Sequence, residues 1–579
     1  MLSRFVAFTS LGRKALPNQY DFFAFALILA VFVAITHASQ GVTLPLAAPE
    51  STAVSLDYTL LPYYALRTTL RMFAAIAASL IFTFTYATLA AKSRRAGLVL
   101  IPLLDVLQSV PILGFLSFTV TFFLGLFPGS VLGAECAAVF AIFTSQAWNM
   151  AFSFYQSLRG VPRDLAEVAR SFGLSAWQRF WQLETPFAMP TLIWNTMMSM
   201  SGGWFFVVAS EAIAVGDTTI KLPGIGSYLA LAIENQRIDA VFASILAMLA
   251  VIIAYDQLLF RPLVAYASRF RVELSAGERE EKSFIAQIFA RTRWIHVLME
   301  GPAQLFRTIA LLRMELPVRV SATPFAKSSA LSRMIDILWV AGVILVTLWA
   351  GWFIIDYIRH EITWNDVWQS VLYTLITMLR VILLMMLATL IWVPVGVWIG
   401  LRPAIAEKVQ PLAQFLAAFP ANVIFPVAVI LILKFALNPD IWLSFLIILG
   451  TQWYILFNVI AGASAFPNDL KEAVSTFRIR GWDWWKNVII PAIFPYYVTG
   501  ALTASGGSWN ASIVAEYVKW GSDTVSAHGI GAYIAKATAE GDYPKIVLGV
   551  AMMSIFVILF NRLLWRQLYD LAERRLRLD

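Results

Sequence analysis

"DLAEVARSFGLSAWQRFWQLETP", Asp164 to Pro186, and "DLKEAVSTFRIRGWDWWKNVIIP", Asp469 to Pro491, are two versions of one polar, tryptophan-bearing stretch, 305 residues apart in a chain made mostly of apolar runs. Leu165, Val168, Ala169 and Phe172 fall at i, i+3, i+4 and i+7, which puts one apolar face on a short helix; Leu470, Ala473, Val474 and Phe477 repeat the pattern. Pro162, Asp164 and Glu167 open the first helix and Pro467, Asp469 and Glu472 the second, in the manner of a capping box with Asp as the cap. On that reading Glu167 and Glu472 cap their own helices. A short helix with an apolar face needs a cover for that face, and this chain needs the cover twice.

The surroundings decide where these helices lie. The chain has 579 residues, 59% hydrophobic and 13% charged, with a mean hydropathy of +0.73. Soluble domains carry about 25% charged residues, so the composition is that of an integral membrane protein. Apolar runs of about 20 residues, enough to cross a hydrocarbon core of about 30 Å, recur along the whole length. Runs this continuous mean helices rather than barrel strands, because backbone polar groups must be satisfied within each segment. Spans are expected near 21–38, 63–90, 98–126, 131–152, 190–215 and 240–260, then near 336–357, 369–400, 411–436, 441–464, 488–515 and 545–564.

The two sets of six are copies. Pro102, Leu103 and Pro111 match Pro411, Leu412 and Pro420 at an offset of 309. From the opening motif onward the offset is 305: Trp204 and Glu211 match Trp509 and Glu516, "GIGSY" (Gly224–Tyr228) matches "GIGAY" (Gly529–Tyr533), and "DQLLFRPL" from Asp256 matches "NRLLWRQL" from Asn561. An even number of spans returns each copy to its starting side, so the repeats are parallel about an axis along the membrane normal. The expected fold is an all-α polytopic membrane protein of about twelve transmembrane helices in two parallel six-helix repeats. The first repeat is 1–264 (core 60–264), the second 335–579 (core 366–572), and a connector spans 265–334.

Lys and Arg fall in the loops. "AAKSRRAG" (90–97) separates the second and third spans, residues 264–334 carry eleven Lys and Arg against six Glu, and 39–58 carry none. The positive-inside rule puts both termini, the connector and both opening motifs in the cytoplasm. The first apolar run, ending in "ITHASQ", could be a cleavable signal peptide, but the matching run at 336–357 favours a true span. The connector alternates apolar residues with Arg, which suits either interfacial helices or a tether between repeats.

The residues of the motif carry a resemblance. Glu167, Ala169, Gly173 and Pro186 resemble the cytoplasmic EAA loop of permease subunits in bacterial binding-protein-dependent ABC importers, and Glu472, Ala473 and Pro491 supply the second copy with the same Glu-to-Pro separation of 19 residues. The second copy departs where Arg478 replaces the glycine, and Gly481 three residues later could supply the break. The resemblance covers about 60–264 and 366–572. The W-x6-E and G-I-G-x-Y elements are most similar to the nitrate, sulfonate and taurine branch, whose anion-transport members include fused, duplicated forms. It implies a type I importer architecture in which these loops, with Asp164 and Asp469 at their starts, dock on two cytoplasmic ATPase subunits. It further implies an extracytoplasmic substrate-binding protein, one fused chain per transporter, residence in the bacterial inner membrane, and a small anion such as nitrate, a sulfonate or bicarbonate as cargo.

The remaining chemistry is sparse. Nothing matches G-x4-G-K-[ST], so no phosphate-cradling loop is expected, and ATP and Mg belong to the partner. One cysteine, Cys136, and four scattered histidines, His37, His296, His360 and His528, exclude an intrachain disulfide and give no metal spacing. No cofactor, catalytic group or nucleic-acid partner is expected, because the net charge of +8 lies in membrane loops. Arg71 and Arg380 lie inside apolar runs at the 309 offset, where an unneutralised charge is costly. Glu211 and Glu516 lie at comparable depth and are their expected partners; the alternative is that the arginines line an anion path. Trp204 and Trp509, among small residues, read as packing sites between the halves or as a constriction. Asp105, Gln108 and Ser109 face Gln414, Ala417 and Ala418 at equivalent positions, so the halves do not present the same polar groups. An ion-driven carrier also has two parallel six-helix halves, but has no use for paired coupling loops.

Overall fold

The computed structural model describes residues 54–215, 218–263, 330–464 and 468–575, with Phe466 and short pieces between 300 and 313. The expected span at 21–38, most of the connector and the last four residues lie outside the described residues.

The first repeat runs α1 (Leu61–Lys92), α2 (Arg94–Ser109), α3 (Ile112–Leu126), α4 (Val131–Arg159), α5 (Arg163–Ser171), α6 (Ala176–Arg179) and α7 (Thr185–Glu211). A hairpin of β1 (Ala212–Val215) and β2 (Thr218–Lys221) then leads to α8 (Ile225–Glu234) and α9 (Ile238–Tyr255). The second opens with α10 (Ala330–Ile358), α11 (Trp364–Gly400), α12 (Pro403–Ala418), α13 (Phe425–Lys434), α14 (Pro439–Leu449) and α15 (Gln452–Ser464). It continues through α16 (Asn468–Thr476), α17 (Gly481–Trp484), α18 (Ile490–Ala515), the hairpin β3 (Tyr517–Trp520) and β4 (Asp523–Ser526), α19 (Ile530–Glu540), α20 (Tyr543–Phe560) and α21 (Arg566–Arg575). The hairpins sit at the 305 offset as small additions to a fold that is otherwise helical, as expected; four-residue strands are too short to read from alternation.

Among the described residues six helices are long and apolar enough to cross a membrane, or seven when α14 and α15 count as one bent span. The expected run at 98–126 is two helices, α2 and α3, parted at Val110 and Pro111, and that at 411–436 is parted between α12 and α13 by Pro420 and a short turn at Ala421–Val423. Proline donates no N–H, and the residue before it leaves the helical region, so these breaks follow from sequence. The repeats differ at one span: α4 is continuous, whereas α14 and α15 meet at a 42° bend around Gly450 and Thr451.

Packing inside each repeat follows side-chain size. Ala75, Ser79, Thr83 and Ala87 form a buried stripe of small residues on α1, while Phe73, Ile81 and Leu89 point outward. Lipid is as apolar as leucine, so close approach of small faces, rather than hydrophobic exclusion, brings α1 against α4. The halves interlock through specific contacts. Trp194 stacks on Phe457 with centroids 5.6 Å apart. The Ile112 amide donates to Asn510 Oδ1 at 2.8 Å, and Asn422 Nδ2 donates to the Phe205 carbonyl at 3.1 Å. An apolar cluster with Ile112, Leu113 and Phe206 from the first half and Trp509, Ile513 and Ile534 from the second closes the contact.

Candidate functional site

Two kinds of paired feature stand out, and both obey the repeat. The first is the pair of short helices α5 and α16. Pro162 caps α5 without a side-chain hydrogen bond, and the helix begins at Arg163, so Asp164 lies in its first turn instead of capping it. The expected capping box is therefore absent from α5: proline fixes the start two residues early, and Asp164 instead offers its charge to the positive end of the helix. Glu167 and Glu472 are exposed, and the Asp469 side chain lies outside the described ones. Ala169 is buried and Ala473 half-buried, whereas Phe172 is 78% exposed and its copy Phe477 76%, with Leu165 and Leu470 each at 38%. The chain thus builds the same apolar face twice, with Phe172 and Phe477 exposed among the described residues.

Both helices end in the same turn. Gly173 has φ +66° and the Leu174 amide reaches the Ala169 carbonyl at 3.2 Å; Arg478 has φ +51° and the Ile479 amide reaches Val474 at 3.2 Å. Without the glycine, Arg478 adopts the left-handed conformation itself, and Gly481, at φ +64°, adds a second left-handed residue at the start of α17. That conformation costs an L-residue about 1 kcal/mol relative to glycine. Arg478→Gly is expected to stabilise this turn by about 1 kcal/mol, seen as slower hydrogen exchange at the Phe477 and Ile479 amides. Unchanged exchange would show that the turn carries no strain. Beyond it, Phe180–Glu184 and Trp485–Ile489 form one wide π-turn each, closed by Thr185 N–H to Phe180 and Ile490 N–H to Trp485, immediately before Pro186 and Pro491. These turns join the short helices to α7 and α18.

The second feature lies in the membrane core. Arg71 on α1 donates from Nη1 to Glu211 Oε1 at 2.7 Å and from Nε to Glu135 Oε2 at 2.6 Å, and Arg67 Nη2 reaches Glu135 Oε1 at 2.5 Å. On α11, Arg380 Nη1 donates to Glu516 Oε1 at 2.5 Å. Thr68 and Thr377 give hydroxyl bonds to the same carboxylates at 2.7 and 2.9 Å and accept the amides of Ile225 and Ile530, each at 3.0 Å. Gly226 N–H and Gly531 N–H supply the other carboxylate oxygen at 2.7 and 2.8 Å. All these side chains are buried, and each cluster ties the first span of its core to the end of α7 or α18 and to the start of α8 or α19. A Cβ on Gly224 would stand 2.3 Å from the Glu211 carboxylate and one on Gly529 2.2 Å from Glu516, which explains the first glycine of G-I-G: the backbone passes over the ion pair with no room for a side chain.

Arg67, Glu135, Thr68, Thr377 and Asp440 were not among the residues the sequence singled out. Their signal was present: Arg67 is one helical turn before Arg71, and Glu135 interrupts an apolar run at the 305 offset from Asp440. The clusters are unequal. Ile376 replaces Arg67, and Asp440, 40% exposed, lies 3.5 Å from Arg380 while its Oδ1 accepts the His528 amide at 2.7 Å.

Trp204 and Trp509 come to different places. Trp204, 1% exposed, packs edge-on to Tyr255 in the core of the first repeat, with centroids 5.8 Å apart, whereas Trp509 joins the cluster between the halves. Gln108 lies exposed on α2; the side chains of Asp105, Ser109 and Gln414 are outside the described ones. Among the described residues no three His, Cys, Asp or Glu stand close enough to hold a metal ion.

The model of the family "binding-protein-dependent transport system inner membrane component" matches residues 79–260 and again 392–578, more than half of the chain. The chain belongs to this family. It is a duplicated permease of the ABC importer class and a multi-pass inner-membrane protein. Both matched segments contain a complete copy of the short helix, the π-turn and the Glu of the buried cluster. The permease is 29% identical over 207 residues to the bicarbonate transport system permease protein CmpB of Synechococcus elongatus, covering 36% of this chain and 70% of that one. To the nitrate import permease protein NrtB of Leptolyngbya laminosa it is 25% identical over 178 residues, 31% of this chain and 60% of that one. To the glycine betaine/proline betaine transport system permease protein ProW of Escherichia coli it is 33% identical over 137 residues, 24% of this chain and 36% of that one.

Proposed function

We propose that the permease forms, within one fused chain, the whole translocation pathway of an ATP-driven importer for a small anion of the nitrate or bicarbonate kind. Its repeats, 1–264 and 335–579, together supply twelve spans, with both termini, the connector and the motifs Asp164–Pro186 and Asp469–Pro491 in the cytoplasm. ATP and Mg are handled by two cytoplasmic ATPase subunits, one on α5 and one on α16, and a substrate-binding protein delivers the anion from the other side. The observation that carries this reading is the matched exposure of Phe172 and Phe477 on two short helices outside the spans. Uncovered aromatic faces at repeated positions favour a partner that also comes twice.

The mechanism follows from how these parts are joined. ATP binding can drive the permease only by favouring one of two conformations, and the partner's grip on α5 and α16 is where that bias enters. Each short helix passes through its π-turn into α7 or α18, and the far ends of those helices are pinned by Glu211 and Glu516 to α1 and α11. A displacement at the cytoplasmic loop is therefore delivered to a rigid body instead of being absorbed along the span. The buried ion pairs are anchors of that body. In the first cluster two arginines face two glutamates at 2.5–2.7 Å and neutralise each other; in the second, Arg380 is paired with Glu516 at 2.5 Å and has Asp440 3.5 Å away, so neither arginine is left as an open positive site for a passing anion.

The test is to purify the permease with its ATPase and binding protein and measure whether nitrate, bicarbonate or sulfonates stimulate ATP hydrolysis; a flat response to all of them would contradict the anion reading. Reversing Glu167 or Glu472 to Lys is expected to lower the stimulated rate, and by different amounts, because the two loops end in Gly173 and Arg478. Equal losses would contradict inequivalent docking.

A further inference from the structure

Among the described residues, the connector touches the first coupling loop. Its segment 307–311 is helical, and its last carbonyls, which an isolated helix leaves without partners, are taken by side chains of the first loop. Trp177 Nε1 donates to the Ile309 carbonyl at 2.8 Å, and Gln178 Nε2 donates to the Leu311 carbonyl at 2.8 Å. Ala310 between them is buried. The orientation of the Gln178 amide is fixed independently. Its Oε1 accepts the Ser175 amide at 2.9 Å while Ser175 Oγ accepts the Gln178 amide at 3.3 Å, a capping box that leaves only the NH2 group to face the connector.

The second loop lacks the same equipment. Trp482 occupies the position of Trp177 and is 72% exposed, Asp483 replaces Gln178 and has no donor when ionised, and Arg480 replaces Ser175 and makes no capping bond. Lys92 on α1 also pairs with Glu184 in the first π-turn, whereas Leu401 and Ile489 stand at the matching positions of the second repeat. The base of the first coupling loop is therefore held from two sides, by residues that the second loop does not carry at the matching positions.

We infer that the connector is a cis-acting brace: its 307–311 segment is fastened to the loop that follows α5, so movement of the first ATPase contact is tied to the connector and the two contacts are functionally distinct. This inference rests on the coupling role given to α5 above. A helix that must shift during turnover moves less freely when its base carries a second attachment, so release of the brace lets the first contact move without the rest of the permease.

The test uses the full chain with Trp177→Phe and Gln178→Glu together. Glutamate keeps the acceptor of the capping box and loses the donor to Leu311, so the short helix itself is retained. Trp482→Phe with Asp483→Glu is the matched change in the second loop. Hydrogen exchange across 304–313 in the chain alone is expected to quicken about tenfold in the first variant, as two hydrogen bonds are lost, and not in the second. ATP hydrolysis by the assembly without added solute is expected to rise about fivefold in the first variant only. Unchanged exchange would overturn the docking, and quickened exchange with unchanged hydrolysis would overturn the brace, leaving a tether. Failure of the unmodified chain to bind any ATPase would instead overturn the coupling reading beneath it, a result the exchange measurement does not depend on.

Discussion

Arg71→Met is expected to destabilise the first repeat by about 3–5 kcal/mol, because it leaves the Glu211 carboxylate, fully buried, without its cation. Arg67 and Glu135 still pair, so the uncompensated charge is one and its location is known. Adding Glu211→Gln removes that charge and is expected to recover more than half of the loss, since the amide oxygen can accept the Gly226 N–H and the amide NH2 can donate to Thr68 Oγ1, in place of the two oxygens that now accept from them. The coupling between the two changes, read as denaturation midpoints in detergent or as folded yield by gel filtration, should be about 2 kcal/mol or more. Simple additivity would show that the pair makes no contribution beyond its separate residues. The same change at Arg380 should cost at least as much, because Ile376 stands where Arg67 would supply a second cation, and the loss leaves both the buried Glu516 and Asp440 without the arginine that faces them.

The second large effect belongs to the coupling faces. Phe172→Glu is a surface change, expected to alter folding stability by no more than about 0.5 kcal/mol. A central aromatic anchor at a protein interface is worth about 2 kcal/mol or more, so the same change should weaken ATPase association at least about thirtyfold at that site. Phe477→Glu should do likewise at the other, and the double variant should fail to assemble while retaining its fold. Titration of labelled ATPase into the permease in nanodiscs reads this directly. Full association with the double variant would remove the assignment of these helices as docking sites.

The duplication made much of this legible from sequence. A constant offset of 305 placed Glu211 with Glu516 and the two G-I-G elements in register, and the same offset relates both hairpins and both π-turns. Apolar periodicity found the faces of α5 and α16 because one face of a short helix is a local property. What periodicity could not supply was anything set by a neighbour. Arg67 and Glu135 acquire meaning only when α1 and α4 come together, and nothing local says that an arginine one turn before Arg71 turns inward to a glutamate 68 residues away. The start of α5 was misplaced because a D-x-x-E pattern and a preceding proline make competing claims, and the proline, which constrains the backbone covalently, prevails. The left-handed turn at Arg478 was not legible for the opposite reason: propensity points to Gly481, which is left-handed as well, but the helix keeps its repeat length and imposes that conformation on arginine too. Among the described residues, prolines and the Gly450 bend divide runs that hydropathy joins, so six or seven helices meet the length and hydropathy of a span.

The central claim is that solute movement through this permease is driven by ATP acting at α5 and α16. The most direct measurement is uptake of labelled nitrate or bicarbonate into proteoliposomes holding the permease, its ATPase and its binding protein, with the coupling loops facing inward. The account predicts uptake that requires ATP inside the vesicle, persists when ionophores collapse ion gradients, and is abolished by Phe172→Glu with Phe477→Glu. Uptake that proceeds without ATP, follows an imposed ion gradient and survives that double change would contradict it.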